Sequence, residues 1–195
     1  MSKPATIRIA SVDHLTKLAL EGEDGRFWYH HALAEVVRAS RNLDTPLPYL
    51  VAVLGVTSPR VSVRDNINLT IKYLLKDSIK GLMPSVIVGL EKLQSFARDD
   101  LHGLTSTMGP KTGPFARALA GDEDAIPLDV WMARALKVEQ SKLSGKRVNK
   151  KCSDRVRAVA ARLGWTPAQA QAAIWTASYR RHFKNGNPPA FTFAL

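Results

Sequence analysis

Apolar residues recur three and four positions apart along most of the chain, a spacing that gathers side chains on one face of an α-helix. The almost wholly apolar run 47–56 predicts a buried central helix. No pair of alternating segments indicates neighbouring strands, so the pattern predicts an all-α fold. The other segments with helical periodicity are about 26–41, 61–76, 85–98, 112–120, 128–136 and 153–163.

Turn and capping residues predict where several of these helices begin and end. Pro59 ends the central apolar run, because the residue before a proline avoids helical geometry. Gly164 predicts a helix C-terminus, and the pair Thr166 and Gln169 predicts a capping box that starts a last helix reaching about residue 182. The segments expected outside helices are 99–110, 137–151 and the tail 185–195, which is predicted to be extended or loosely packed.

Charge adds the first indication of function. The 195 residues contain 28 Lys and Arg against 17 Asp and Glu, a net charge of +11. Such a balance favours a polyanionic partner, with nucleic acid ahead of an anionic membrane surface. Ten basic and two acidic residues lie in 134–162, and this stretch predicts a strip that contacts DNA phosphates. A solvated helix face is the alternative. The cations expected to contact DNA are Lys146, Arg147, Lys150 and Lys151.

Several classes of function are not expected. Cys152 is the only cysteine and the five histidines are scattered, so neither a disulfide nor an iron–sulfur or zinc site is predicted. Cys152 is expected to be an inert thiol, although Lys150 and Lys151 beside it could lower its pKa. No nucleotide-binding loop, apolar membrane span or secretory signal stands out. We therefore expect a monomeric, cofactor-free protein of the cytoplasm or nucleoid, without membrane contact.

The segment 105–136, TSTMGPKTGPFARALAGDEDAIPLDVWMARAL, concentrates the candidate chemistry. Gly109 precedes Lys111 at a predicted helix start, where exposed backbone N–H groups can hold a phosphate. Lys111 is then either a phosphate contact or, if desolvated, an amine nucleophile. Asp129 follows 18 residues later at the start of the next helix, where an N-cap is the simpler interpretation.

This segment resembles the hairpin and aspartate of the helix-hairpin-helix base-excision DNA glycosylases. A second segment, YLVAVLGVTSPRVSVRDNIN at 49–68, is similar to the family's buried helix and wedge loop. Together the two segments cover about 47–136 in the family's order, with the Lys-to-Asp spacing of the endonuclease III branch. Three features depart from the family: Thr107 replaces the first hairpin glycine, Pro110 lacks an N–H, and the iron–sulfur cysteines are absent.

The resemblance implies a role for each matching residue. Lys111 would attack the sugar C1′ and form a Schiff base, permitting strand cleavage, and Asp129 would stabilise the cationic sugar. Trp131 is a candidate for lining the base pocket, whereas Trp175 and Tyr179 are expected to pack in the core. The resemblance also implies DNA contacts by wedge-loop and hairpin residues, which are Thr57, Ser58, Arg60, Gly109, Thr112 and Gly113.

The implied architecture has two helical lobes with a DNA-binding cleft between them. One lobe is expected over about 58–125, including the hairpin 105–113, and the other over 1–57 plus 126–195. The implied partner is double-stranded DNA with a damaged or modified base. Two alternatives stay open: a phage-type transferase that modifies bases on the same fold, and a DNA-binding protein without catalysis.

Overall fold

A computed structural model describes residues 8–76, 78–184 and 186–194. Within these ranges the chain is all-α, with no β-strand. Residues 1–7, where no secretory signal is predicted, and two positions of the tail lie outside the described residues. The helices in chain order are α1 (Val12–Glu21), α2 (Trp28–Asn42), α3 (Leu47–Thr57), α4 (Val63–Lys76), α5 (Pro84–Leu93), α6 (Leu101–Ser106), α7 (Thr112–Leu119), α8 (Val130–Leu136), α9 (Lys146–Leu163) and α10 (Pro167–His182).

The chain divides into two compact units. Unit 1 comprises the described residues of Met1–Phe27 and Leu128–Pro188, and unit 2 those of Trp28–Pro127 and Pro189–Leu195. The lobe boundaries that the family resemblance implies stay a prediction.

Unit 2 is built around α3. Every residue from Tyr49 to Thr57 is buried, which confirms the predicted central helix. Helices α2, α4, α5, α6 and α7 contact it. An apolar helix surrounded on all sides needs no polar face, and the run is accordingly apolar throughout.

In unit 1, α10 packs against α1, α8 and α9. Its start confirms the predicted capping box, because the Thr166 hydroxyl accepts from Gln169 N–H while the Gln169 side chain accepts from Thr166 N–H. Gly164 adopts the left-handed conformation predicted for it, with φ of 65°. Side chains other than glycine rarely adopt this conformation, so the glycine lets the chain turn directly from α9 into α10.

Two predicted loops are wrong in part. Residues 99–110 contain α6, which forms because Asp100 caps its N-terminus and Leu104 is anchored in the core of unit 2. Within 137–151, α9 already begins at Lys146. Its charged residues lie on the solvent side while Cys152 and Val156 are buried, so apolar packing on one face sustains the helix despite the like charges on the other.

The described residues of the tail form no helix or strand, and they are not loosely packed. Phe191 and Phe193 are buried among the core residues of unit 2. The tail is also held by polar contacts: Phe193 N–H donates to the Glu35 carboxylate, and Arg38 donates to Phe193 C=O at 2.7 Å. Because these partners lie far away in sequence, local periodicity gives no sign of them.

Candidate nucleic-acid interface

The predicted hairpin is a tight connection between two helices of unit 2. Helix α6 ends at Ser106 and α7 begins at Thr112, so Gly109 and Lys111 lie in the turn between them. Gly109 is exposed, Lys111 is half-buried, and Gly113 N–H donates to Gly109 C=O at 3.1 Å. This bond occupies Gly113 N–H, and the prolines at 110 and 114 have no N–H, so the donor that the first turn of α7 leaves beside Lys111 is Thr112 N–H.

The C-terminal end of α3 packs directly against this hairpin. A Cβ atom on Gly55 would lie 3.0 Å from Thr112 C=O and 3.1 Å from Ala116 Cβ. Glycine therefore permits a close approach of α3 to α7 that a side chain would disturb. The two segments that resemble the glycosylase family, 49–68 and the hairpin, thus lie against each other in unit 2.

The loop after α3 presents only part of its predicted DNA-binding set. Thr57 is fully buried, and its hydroxyl is bonded to Val53 C=O and to the Asn66 side chain. Ser58 is also buried and donates to Gly55 C=O at 2.9 Å. Arg60 is exposed, with a left-handed φ of 62°. Arg60 is therefore the exposed member of the set, whereas Thr57 and Ser58 stabilise the junction.

A pocket of about 210 Å³ lies between the hairpin, the end of α3 and one face of α5. Gly109 and Thr112 line it from the hairpin, and Pro59 from the loop after α3. On the α5 side its lining includes Ser85 and Lys92. The sequence analysis missed Lys92, because the periodicity of α5 does not show which of its exposed residues faces the hairpin.

Asp129 lies in unit 1, whereas Lys111 lies in unit 2. The Asp129 side chain is the N-cap of α8: its Oδ1 accepts the N–H groups of Trp131 and Met132, both at 3.0 Å. Its Oδ2 accepts the indole Nε1–H of Trp175, also at 3.0 Å. Both oxygens therefore hold the start of α8 in place, which is the simpler of the two roles considered for this residue.

Trp131 takes part in an aromatic cluster with Trp175, Tyr179, His182 and Phe183. Trp175 and Tyr179 are half-buried, so the expectation that they pack fully in the core is only partly right. Arg134 lies over the Trp131 ring, with its Cζ atom 4.4 Å from the ring centre.

The predicted phosphate-contacting strip follows the exposed side of α9. Lys146, Arg147, Lys150 and Lys151 are all exposed. Lys150 pairs with Asp154 at 2.7 Å, while in the described part of the chain Arg147, Lys151 and Arg155 have no carboxylate within 4 Å. These three residues are four apart, so they form a row along one side of the helix with a rise of about 6 Å per step.

Cys152 is fully buried on α9, and burial raises the pKa of its thiol. This favours the inert thiol over a reactive one. Among the residues that the structure describes, no three His, Cys, Asp or Glu side chains are grouped as metal ligands, and no helix is long and apolar enough to cross a membrane.

Comparison with protein-family models adds one finding. A model for a family of unknown function, DUF7178, matches residues 5–182. The chain belongs to this family. The DUF7178 match contains the hairpin, Asp129 and the basic face of α9, and it ends at the last residue of α10, before the tail. No curated protein and no solved structure matches the chain.

Proposed function

We propose that this chain is a DNA-binding enzyme of the helix-hairpin-helix glycosylase type, which extrudes a nucleotide and acts at its N-glycosidic bond. The observation that carries the proposal is the packing of α3 on the hairpin between α6 and α7. The two segments that resemble the family contact each other there, and residues of both line one pocket. Lys111 is the N-cap residue of α7, next to the pocket-lining Thr112. Packing of these segments on each other is what the proposed resemblance requires.

In the proposed reaction the Lys111 amine attacks C1′ of the sugar while the bond from C1′ to the base breaks. The base leaves with the electron pair of that bond and takes up a proton. Opening of the sugar ring then gives a Schiff base between Lys111 and C1′. Asp129 would stabilise the positive charge that develops on the sugar.

DNA would be held by electrostatic contacts in both units. In unit 2 the backbone N–H of Thr112 and the exposed Arg60 suit phosphate oxygens. In unit 1 the row Arg147, Lys151 and Arg155 offers three cations without a carboxylate partner among the described residues. Each phosphate that a cation neutralises releases counterions, so binding is expected to weaken steeply with salt.

Borohydride trapping on a duplex with one abasic site tests the chemistry. We expect a covalent adduct with the unmodified protein and none with Lys111→Ala. Lys92→Ala is the matched control, because Lys92 is a lysine of the same unit that lines the pocket beside the hairpin. An adduct that survives Lys111→Ala but is lost in Lys92→Ala would assign the amine to Lys92 and overturn the role of Lys111.

Salt-dependent binding tests the contact surface separately. Replacing Arg147, Lys151 and Arg155 by Gln removes up to three phosphate contacts, each worth about 0.9 in the slope of log affinity against log salt on duplex DNA. Lys17, Lys72 and Lys76, which are exposed residues of α1 and α4, provide a triple Gln control. An equal loss of slope in both triple variants would show that total charge, rather than the α9 row, governs binding.

A second candidate function is DNA binding without catalysis. The observation that favours it is the Asp129 carboxylate, which caps α8 with two hydrogen bonds and accepts a third from the Trp175 indole, so a structural role accounts for all three. Tight duplex binding with no adduct, and no release of any base from a panel of damaged and modified duplexes, would decide for this alternative.

A further inference from the structure

The aromatic cluster of unit 1 lies where α8 begins and α10 ends. The Trp131 ring is at its centre, 5.2 Å from Tyr179, 5.0 Å from His182 and 5.4 Å from Phe183, measured between ring centres. Phe183 lies 4.6 Å from Tyr179, and Trp175 completes the set beside Tyr179. Spacings of this kind are those of rings in direct contact.

The backbone of Trp131 is held at both ends. Its N–H donates to Asp129, and its C=O accepts from the Ser178 hydroxyl at 2.9 Å. The indole of Trp175 is fixed by its hydrogen bond to the same aspartate. The exposed rings of His182 and Phe183 pack against this fixed Trp131, so less conformational entropy has to be lost when a planar ligand is placed against them.

Part of this rigid cluster faces solvent. Phe183 is 49% exposed, and His182 is exposed beside it at the end of α10. Leaving a large apolar ring half in water forgoes stabilisation that burial would supply. An exposed ring that is also preorganised is the arrangement expected of a contact surface.

The charge around the cluster is positive. Arg134 lies over the Trp131 ring, and Lys184 directly follows Phe183. In the described ranges neither cation has a carboxylate within 4 Å, and the nearby Asp129 is engaged as the cap of α8. A matching partner carries flat rings and negative charge together. Unpaired nucleotides do so, since every base has a stacking face and every linkage a phosphate.

We propose that the aromatic cluster is a stacking platform for unpaired nucleobases of single-stranded DNA, with Arg134 and Lys184 binding the adjacent phosphates. His182 and Phe183 form the exposed edge of the platform, and both rings pack against the Trp131 ring. The proposal does not depend on the proposed glycosidic chemistry, because it requires no covalent step and does not involve Lys111.

Two single strands that differ only in their bases test the proposal. One is an oligothymidylate of about twelve nucleotides, within the usual site sizes, and the other is an abasic strand of equal length and charge. We expect the unmodified protein to bind the base-containing strand more tightly. Removing one stacking partner weakens such binding by about 5- to 150-fold, so Phe183→Ala should lose most of the preference.

Matched variants separate stacking from hydrophobic contact. Phe183→Trp should keep the preference for bases, whereas Phe183→Leu should lose it although an apolar side chain remains. Phe27→Ala is the positional control. Phe27 is a ring of the same unit that is 40% exposed and carries a nearby cation, Arg26, but it lies outside the cluster. Circular dichroism of each variant verifies folding.

Three results would overturn the proposal. They are equal affinity for the two strands, a base preference that Phe183→Ala leaves intact, and Phe183-dependent binding to anionic lipid vesicles without any base preference. The two proposals fail independently. A protein that forms no borohydride adduct but keeps a Phe183-dependent base preference loses only the proposed chemistry, and the converse result removes only the platform.

Discussion

Replacing Asp129 by Ala removes three hydrogen-bond acceptor contacts at once. The two N–H groups at the start of α8 lose their cap, and the Trp175 indole loses the carboxylate oxygen that it now contacts at 3.0 Å. Loss of an N-cap costs about 1 kcal/mol. A half-buried N–H that loses its acceptor costs about 1–2 kcal/mol more. We therefore expect Asp129→Ala to lower the free energy of unfolding by about 2–3 kcal/mol.

Urea unfolding followed by tryptophan fluorescence is a suitable assay, because three of the four tryptophans lie in unit 1 with Asp129. With a urea dependence of about 2–3 kcal/mol per M, the midpoint should fall by about 1 M. Asp129→Ser is the informative companion, since serine caps a helix as well as aspartate does but is too short to contact Trp175 as well. It should recover about 1 kcal/mol.

The serine variant also separates structure from chemistry. If Asp129 acts in the reaction, Asp129→Ser regains stability without regaining base release, because serine supplies no negative charge. Glu123→Ala controls for loss of an exposed carboxylate. An ordinary surface substitution changes the free energy of unfolding by no more than about 0.5 kcal/mol. A change this small in Asp129→Ala would refute the stabilising role of Asp129 as the cap of α8.

Three further predictions follow from burial and charge. Cys152 should react with a thiol reagent only on unfolding, because it is fully buried and burial raises the pKa of its thiol; rapid labelling under native conditions would contradict this. Phe191→Ala should lower the free energy of unfolding by about 3–5 kcal/mol in a thermal unfolding assay, since the ring is buried in the core of unit 2. Ala190→Gly, in the exposed part of the tail, should change this free energy little. The Arg180 hydrogen bond lowers the pKa of Asp24, so Asp24→Asn should cost under about 1 kcal/mol at neutral pH. The difference in stability between Asp24→Asn and the unmodified protein should vanish as the pH falls below the usual carboxyl range and through the lowered pKa of Asp24. If thermal unfolding still showed that difference in acid, the ion pair would not be its source.

Much of the helical content was accessible from local patterns. The central helix, the capping box at Thr166 and the glycine end of α9 were all confirmed, because caps and apolar periodicity act within a few residues. Helix α1 was missed although Ser11 caps it and Leu15 and Leu18 are buried. The beginning of α9 was missed because its charged, Gly- and Asn-containing sequence has the composition of a loop.

The candidate site shows a sharper division. The sequence singled out Gly109, Lys111 and Asp129 by residue type and spacing, but could not distinguish a helix cap from a reacting carboxylate. The structure shows the cap in the bonds from Trp131 and Met132 N–H, and it adds a contact with Trp175, 46 residues away, that no local pattern indicates. The same holds for Thr57, whose burial follows from partners on α4 rather than from its own surroundings in the chain.

The sequence by itself determined the all-α class, the excess of positive charge on one stretch and most helix boundaries, since these depend on nearest-neighbour chemistry. Only the tertiary structure decided that the tail packs into unit 2, that α3 lies against the hairpin and that five aromatic side chains form one cluster. Those features depend on which apolar and polar groups meet across long loops, where burial and hydrogen bonding outweigh local preference.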